Sequence, residues 1–177
     1  VVLLEDDLDL SLLAERRHEL RAMLRALPDD WQVLQLWTGN TAFYEQHERE
    51  PSAAAVRWPG AHNYGMVAYA VHRRALSWLR GLVTRSGRVV VPPAPRGAAY
   101  VSDEYIYSAL RSYTACTPWV NIWAHDSTIH DHHVLMHRAS ADWVQRWSDA
   151  HQMGGTGGSA TFSRDGEWFV RRLESAA

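Results

Sequence analysis

The chain has 177 residues, which is the length of one ordinary domain with a sizeable hydrophobic core. Hydrophobic residues make up 46% and charged residues 21%, which excludes a disordered chain, a collagen-like repeat and a coiled coil. The formal net charge of −2 lacks the basic excess of proteins that bind nucleic acid electrostatically, so no nucleic-acid partner is expected. The single cysteine excludes an internal disulfide framework, and the absence of a long apolar run predicts no transmembrane segment in this chain.

Strand-like and helix-like segments alternate along the first half of the chain, which predicts an α/β fold. Residues 1–4 are typical of a strand that is buried on both faces of a mainly parallel sheet. Ser11 is the predicted N-cap of a helix whose apolar face is formed by Leu13, Leu20, Leu24 and Leu27. Residues 31–37 are the next predicted strand. Residues 38–63 are polar and irregular, as expected of a long binding loop or lid.

The second half continues the alternation and ends in a different composition. The predicted segments are a strand over 64–71, a helix over 73–83, an extended connection over 89–99, a helix over 103–112 capped by Ser102, a strand over 113–120, a histidine-rich loop over 126–137, a helix over 141–151, a glycine-rich hinge over 154–158 and a hairpin over 161–173. We therefore expect one domain over residues 1–152, followed by a hinge and tail over 153–177. Because Val1 already belongs to a strand-like run, we expect the chain to be a fragment.

Three consecutive acidic residues, Glu5, Asp6 and Asp7, follow the first predicted strand. In open α/β sheets, ligands bind beyond the carboxyl ends of the strands. Adjacent carboxylates repel one another, and a hard divalent cation such as Mg²⁺ or Mn²⁺ relieves that repulsion. Alternate residues of an extended strand share a face, so Glu5 and Asp7 are predicted to share the metal. The alternative is a solvated acidic turn in which Asp9 caps the next helix.

Four segments in a fixed order carry a family resemblance. They are Leu-Leu-Glu-Asp-Asp at 3–7, Asp-Trp-Gln-Val-Leu-Gln-Leu at 30–36, Tyr-Gly-Met-Val-Ala-Tyr-Ala-Val at 64–71 with Arg-Arg-Ala at 73–75, and Ser-Asp-Glu at 102–104 followed by Tyr-Thr-Ala-Cys-Thr-Pro at 113–118. In these segments the chain resembles glycosyltransferase family 25, the lipooligosaccharide and procollagen galactosyltransferases. The chain departs from the family by lacking its first third and by having Met66 and Val67 after Gly65.

The resemblance implies a GT-A-like fold, a Rossmann-like mixed sheet flanked by helices, without its amino-terminal portion. It implies a metal-dependent hexosyltransferase that moves galactose from a UDP-sugar to a hydroxyl of a glycan or protein. It also points to Asp103, with Glu104 beside it, as the base of an inverting displacement. From the residues alone, Asp103 is equally a helix N-terminal acid favoured by the helix dipole. The developing charge on the diphosphate is what a metal at Glu5 and Asp7 would stabilise.

Aromatic residues and one glycine near the predicted cleft are candidates for substrate binding. Sugars stack their C–H faces on aromatic rings, so Trp37 and Tyr64 are predicted contacts, with Tyr44 and Trp58 nearby. Gly65 stands where a ligand or another backbone segment comes close. The alternative for each ring is packing in the hydrophobic core, as expected for Trp78 and Trp147.

The histidine-rich stretch offers a late ligand for the same metal. His130 and His132 are the candidates, since neutral imidazole binds divalent cations and a late histidine completes the shell in several metal-dependent glycosyltransferases. The alternative is a solvated loop.

Two other functions stay open from the sequence. One is a non-catalytic or degenerate domain that binds carbohydrate or nucleotide without a metal; the other is a metal-dependent hydrolase built on the acidic and histidine clusters. The expected partners are a nucleotide-sugar donor and a hydroxylated acceptor, and the sequence does not specify the oligomeric state. The cytoplasm is the expected location, or the Golgi or ER lumen if a preceding segment carries a signal.

Overall fold

The computed structural model describes residues 1–50, 53–60, 62–82, 90, 93, 102–123, 133–151, 158–162 and 168–172. The strands are β1 (Val2–Leu4), β2 (Leu8–Asp9), β3 (Val33–Gln35), β4 (Ala55–Arg57), β5 (Ala68–Val71), β6 (Ser112–Ala115), β7 (Asn121–Ile122), β8 (Gly158–Phe162) and β9 (Trp168–Arg172). The helices are α1 (Ser11–Glu15), α2 (Arg17–Ala26), α3 (Thr41–Arg49), α4 (Arg73–Gly81), α5 (Ser102–Ala109) and α6 (His133–Ala150).

A five-stranded mixed sheet in the order β1-β5-β3-β6-β4 carries the fold. Strands β3 and β6 run parallel, whereas the β1–β5, β3–β5 and β4–β6 pairs are antiparallel. Two small antiparallel pairs, β2 with β7 and β8 with β9, lie outside this sheet. The predicted α/β class is confirmed, with a mixed sheet flanked by helices.

The central strand β3 separates two hydrophobic clusters. Leu34 belongs to the larger cluster, to which α2 contributes Met23 and α6 contributes Val144. Val33 belongs to the second cluster, with Ala75 of α4 and Tyr107 of α5. Because neighbouring residues of a strand point to opposite faces, helices cover β3 on both sides. The predicted burial of Trp147 in the core is confirmed.

The first strand differs from its prediction. Among the described residues it lies at the edge of the sheet and pairs antiparallel with β5, with Val2 opposite Ala70. Val2 and Leu3 are 38% and 40% exposed. An apolar run cannot by itself distinguish a central strand from an edge strand, and so the prediction of burial on both faces was wrong.

Residues 38–63 are not an irregular loop throughout. They contain α3, which buries Phe43 and Tyr44, and the edge strand β4. The backbone N–H of Thr38 donates to the Tyr44 hydroxyl at 2.9 Å, which fixes the start of this segment. Only two apolar residues of the helix are buried, which is why its periodicity was weak in the sequence.

Three further predictions concern the first helix, helix α6 and the carboxyl-terminal hairpin. The first predicted helix is interrupted at Arg16, and its start has no Ser11 side-chain cap. Helix α6 starts at His133, inside the stretch predicted as a loop and eight residues before the predicted helix start. The antiparallel hairpin β8–β9 is confirmed, while its turn and the 154–157 part of the hinge lie outside the described residues. No helix among the described residues is long and apolar enough to cross a membrane.

Candidate functional site

The acidic residues join the main sheet to the small β2–β7 pair. The Glu5 N–H donates to Val67 O at 2.8 Å, so β1 stays beside the β5 chain up to the first acid. Two residues later, the Asp7 carbonyl accepts from Trp123 N–H at 2.8 Å. Backbone hydrogen bonds thus hold both ends of the acidic triplet, and they fix the backbone positions from which its three carboxylate side chains extend.

Asp7 and Asp9 have different side-chain environments. Asp9 Oδ1 accepts from the Ser11 N–H at 2.9 Å, so the capping role considered for Asp9 is confirmed. Asp7 Oδ1 is buried and has no hydrogen-bond partner among the residues that the structure describes. An orphaned carboxylate oxygen is costly to bury, and a cation is the partner that would satisfy it.

Asp103 reaches this region from the first turn of α5. Its Oδ2 accepts from the Gly65 N–H at 3.0 Å, and its Oδ1 accepts from the Glu104 N–H at 2.9 Å. Both carboxylate oxygens are therefore oriented by backbone donors, while each retains a second lone pair. The Glu104 backbone N–H is one of the two donors that orient Asp103, and the catalytic role predicted for the Glu104 carboxylate stays a prediction.

The charges show that the two predicted acidic sites are one neighbourhood. Partial loss of solvent raises the pKa of Glu5, and the negative charges of Asp7, Asp6 and Asp103 raise it further. Burial raises the pKa of Tyr107 well above its ordinary value, with the charges of Asp103 and Glu5 adding to the effect. The structure thus brings Asp103, 98 positions later in the chain, close enough to Glu5 to act on its charge.

Replacing Glu5 by glutamine is expected to stabilise the protein at pH 7. Since the pKa of Glu5 is higher in the folded state than its ordinary 4.5, its stabilising contribution is present below that value and is lost as the pH rises through the folded pKa. Glutamine imitates the protonated form, and because Glu5 is largely exposed, the gain should be only about 0.5 kcal/mol.

Thermal unfolding from pH 4 to pH 8 measures this gain, which should shrink towards zero at the acidic end. Glu45→Gln is the matched control, because Glu45 pairs with Arg49 at 3.4 Å and its neutralisation should not stabilise. A Glu5→Gln variant that is less stable than the wild type at pH 7 would contradict the repulsion.

Residues 63–65 form a segment in which the Gly65 N–H donates to Asp103 and Gly65 packs against the Trp37 ring. Gly65 has a φ of +113°, and a Cβ built there would lie 2.7 Å from Trp37 Cζ3. The predicted close approach at Gly65 was to a ligand or to a backbone segment, whereas the nearest neighbour in the structure is the indole ring of Trp37. Trp37 is 1% exposed, so the prediction that it stacks on a sugar is wrong in this structure. Its ring is covered because the chain beyond β3 turns it into the larger cluster.

The other rings have mixed positions. Tyr64 is half-buried, its hydroxyl donates to Gly39 O at 3.3 Å, and its ring fills the space that a Cβ on Gly39 would need. The predicted contact of Tyr64 with a sugar stays a prediction. Tyr44 is buried and stacks with Trp143 at 5.2 Å between centroids, so it is a core residue. Trp58 donates from Nε1 to Asn63 O at 3.1 Å.

Gln35 is a residue of this site that the sequence did not single out. It is fully buried in β3, and its side chain contacts the 63–65 segment that holds Asp103. The available signal was a long polar side chain inside an otherwise apolar strand, since buried polar groups require partners.

The fit of a divalent cation depends on the acids alone. His130 and His132 lie outside the described residues. Within the part of the chain that the structure describes, no group of three or more His, Cys, Asp or Glu side chains is arranged to hold a metal. Glu5 and Asp7, with the buried unpartnered Oδ1, still supply the hard oxygen donors that Mg²⁺ and Mn²⁺ prefer. These residues fit a cation held by one or two carboxylates and completed by water or phosphate.

Comparison of the chain with protein-family models, curated proteins and solved structures found no match. The chemistry of the site is therefore inferred from its own residues. A carboxylate oriented by two backbone donors lies beside an acidic strand end with one orphaned oxygen. This arrangement suits binding of a cation–phosphate group next to a base.

Proposed function

We propose that this protein is a glycosyltransferase with a GT-A-like fold. It transfers a hexose, galactose in the first instance, from a UDP-sugar to a hydroxyl of a glycan or protein. The acidic strand end holds the diphosphate through Mn²⁺ or Mg²⁺, and Asp103 acts as the base. The mixed sheet flanked by helices supports the fold assignment, and the resemblance of four segments to glycosyltransferase family 25 supports the reaction.

A single observation carries the proposal. The Glu5 N–H donates to Val67 O at 2.8 Å, and Asp103 Oδ2 accepts at 3.0 Å from the N–H of Gly65, two residues before Val67, so helix α5 and the acidic strand end meet at one segment although they are far apart in the chain. An inverting transfer needs the diphosphate and the acceptor hydroxyl on opposite sides of one anomeric carbon. The acidic strand end and Asp103 are held by different backbone contacts and lie near each other, which meets that need.

The reaction is a single displacement. The acceptor oxygen forms a bond to the anomeric carbon, its proton passes to the Asp103 carboxylate, and the bond to the diphosphate breaks with its electron pair leaving on UDP. An alcohol has a high pKa, so a positioned base contributes to the rate. The Gly65 and Glu104 N–H groups orient the Asp103 carboxylate and leave a lone pair on each oxygen for the incoming proton. When bound, the cation supplies charge stabilisation for the departing diphosphate.

UDP binding should depend on both Mn²⁺ and Asp7. Calorimetric titration of UDP is expected to show binding with Mn²⁺, and at least about 10-fold weaker binding without it, because charge-assisted contacts to phosphate are lost. Asp7→Asn should produce the same weakening, since an amide offers a neutral oxygen in place of the carboxylate. Binding should also weaken as the pH falls through the raised pKa of Glu5, because a metal ligand must be deprotonated.

Asp9→Asn is the matched control, because Asp9 belongs to the same acidic run but its Oδ1 caps α1, a role that asparagine retains. It should leave the affinity for UDP within about 3-fold. The titration is made with this chain and with a longer form of the protein if one exists. Failure of UDP to bind under every condition would exclude UDP-sugars as donors.

A non-catalytic domain that binds carbohydrate or nucleotide is the second candidate. It is favoured by the lack of a three-ligand metal group among the residues that the structure describes. It predicts UDP or glycan binding that is the same with Mn²⁺ and with EDTA, and no release of UDP from UDP-galactose. The hydrolase alternative predicts turnover of a phosphate ester with water alone.

A further inference from the structure

The buried side chain of Gln35 is hydrogen-bonded to all three residues of the 63–65 segment. Its Nε2 lies 3.0, 3.3 and 2.9 Å from the carbonyl oxygens of residues 63, 64 and 65. The amide has two hydrogens, which the three oxygens share. Its Oε1 accepts from Thr114 Oγ1 at 2.8 Å, so the neighbouring strand β6 fixes the orientation of the amide.

Each of the three carbonyls also accepts from a second side chain. Trp58 Nε1 donates to the first at 3.1 Å, Thr38 Oγ1 to the second at 3.0 Å and the Tyr107 hydroxyl to the third at 2.9 Å. Gln35 is the donor common to all three. Since the segment contains a positive φ at Gly65, its backbone depends on such contacts to keep its conformation.

The segment ends at the residue that holds the proposed base. The same Gly65 whose carbonyl accepts from Gln35 donates its N–H to Asp103 Oδ2 at 3.0 Å. We propose that Gln35 is a positioning residue: it holds Gly65, and through the Gly65 N–H it sets the direction of the Asp103 carboxylate. This inference rests on the proposed function, because only a transfer reaction makes that direction matter.

The choice of residue in β3 supports this role. A fully buried amide in the central strand of a sheet is costly unless all its polar atoms are paired, and an apolar side chain would fill the place at lower cost. The other described residues of β3, Val33 and Leu34, are apolar. The buried Gln35 amide is therefore explained by the need of the 63–65 carbonyl oxygens for a hydrogen-bond donor.

Hydrogen exchange tests the positioning without any activity. In Gln35→Met, a substitution of similar length without donors, the Gly65 amide should exchange at least about 10-fold faster, which corresponds to about 1.4 kcal/mol of lost protection. The Leu36 amide, which donates to Ala68 O at 2.9 Å in the sheet, should change by less than about 3-fold. Unchanged protection at Gly65 would overturn the proposal.

A double-mutant cycle tests the connection to Asp103. Gln35→Met alone should lower kcat for UDP release from UDP-galactose by about 30- to 100-fold with KM within 3-fold, as expected of a misplaced catalytic group. In an Asp103→Asn background, the same substitution should lower kcat by less than about 3-fold, because residues acting through one another are not additive. An equal loss in both backgrounds would show a general structural role and overturn the proposal.

Thr114 provides a milder pair of variants if Gln35→Met does not fold. Thr114→Val removes the hydroxyl that orients the amide, and Thr114→Ser keeps it. Faster exchange at Gly65 in the valine variant, with recovery in the serine variant, supports the proposal; equal exchange in both overturns it. If the wild type turns over no UDP-sugar, the proposed function fails, and the exchange measurement alone then decides whether Gln35 positions Asp103.

Discussion

Replacing Gly65 by alanine is expected to lower the free energy of unfolding by about 2–5 kcal/mol, combining backbone strain with overpacking. In a chain of this size, the loss corresponds to a melting temperature lower by roughly 5–15 °C. Two features of Gly65 cause it. Its φ of +113° is unfavourable for any residue with a side chain, and the new Cβ would lie 2.7 and 2.9 Å from two ring atoms of Trp37.

The indole cannot easily give way to that Cβ. Trp37 is 1% exposed and lies in the larger hydrophobic cluster, so moving its ring disturbs the packing of that cluster. The alternative is that the 63–65 segment lifts off the ring, which would pull the Gly65 N–H away from Asp103. Gly65→Ala should therefore weaken the proposed site even where the protein remains folded.

Gly60 is the matched control for the backbone part of the effect. It has a similar φ of +121° but no atom within 4 Å of a built Cβ, so Gly60→Ala should cost only about 1 kcal/mol from strain. Chemical denaturation of both variants gives the difference, which is the contribution of the Trp37 contact. Equal losses would show that the ring adapts and that the contact is not what selects glycine.

The sequence was most informative where a local pattern determines the structure. The amphipathic pattern predicted helix α4 with close bounds and the carboxyl end of α2, though not the break at Arg16, and the three acids after an apolar run placed the strand end correctly. The Ser102 region gave helix α5, with Asp103 in its first turn. In each case the signal lies within a few neighbouring residues, where periodicity and capping act.

The sequence was least informative about which strands become neighbours. The position of β1 at the sheet edge depends on its pairing with β5, more than sixty residues away, and no periodicity encodes that pairing. The burial of Trp37 follows from the same cause, because its environment is built by Gly65 and by the larger cluster. The site was predicted as separate residues; their convergence and the role of Gln35 come from tertiary contacts alone.

The second large effect is expected at Asp103. Asp103→Asn should lower kcat for sugar transfer from UDP-galactose by about 10²- to 10⁴-fold, the usual contribution of a general base. Asparagine has nearly the same shape and keeps one oxygen for the Gly65 N–H, but its Nδ2 cannot accept from the Glu104 N–H, so the free energy of unfolding should fall by about 1 kcal/mol. The affinity for UDP with Mn²⁺ should stay within about 3-fold, since the proposed base faces the acceptor rather than the diphosphate.

Glu104→Gln is the control that shows whether the loss of any carboxylate at this site lowers kcat, or only the loss of the Asp103 carboxylate. The variant keeps the backbone N–H from which Asp103 Oδ1 accepts and removes only a neighbouring carboxylate, so kcat should fall by less than about 10-fold.

The pH dependence of UDP binding gives an independent test of the Asp103 charge. Asp103 raises the pKa of Glu5, so its neutralisation in Asp103→Asn should move the acidic limb of UDP–Mn²⁺ binding to lower pH. If kcat of Asp103→Asn stays within a few-fold while that limb moves, Asp103 belongs to the electrostatics of the site and is not its base.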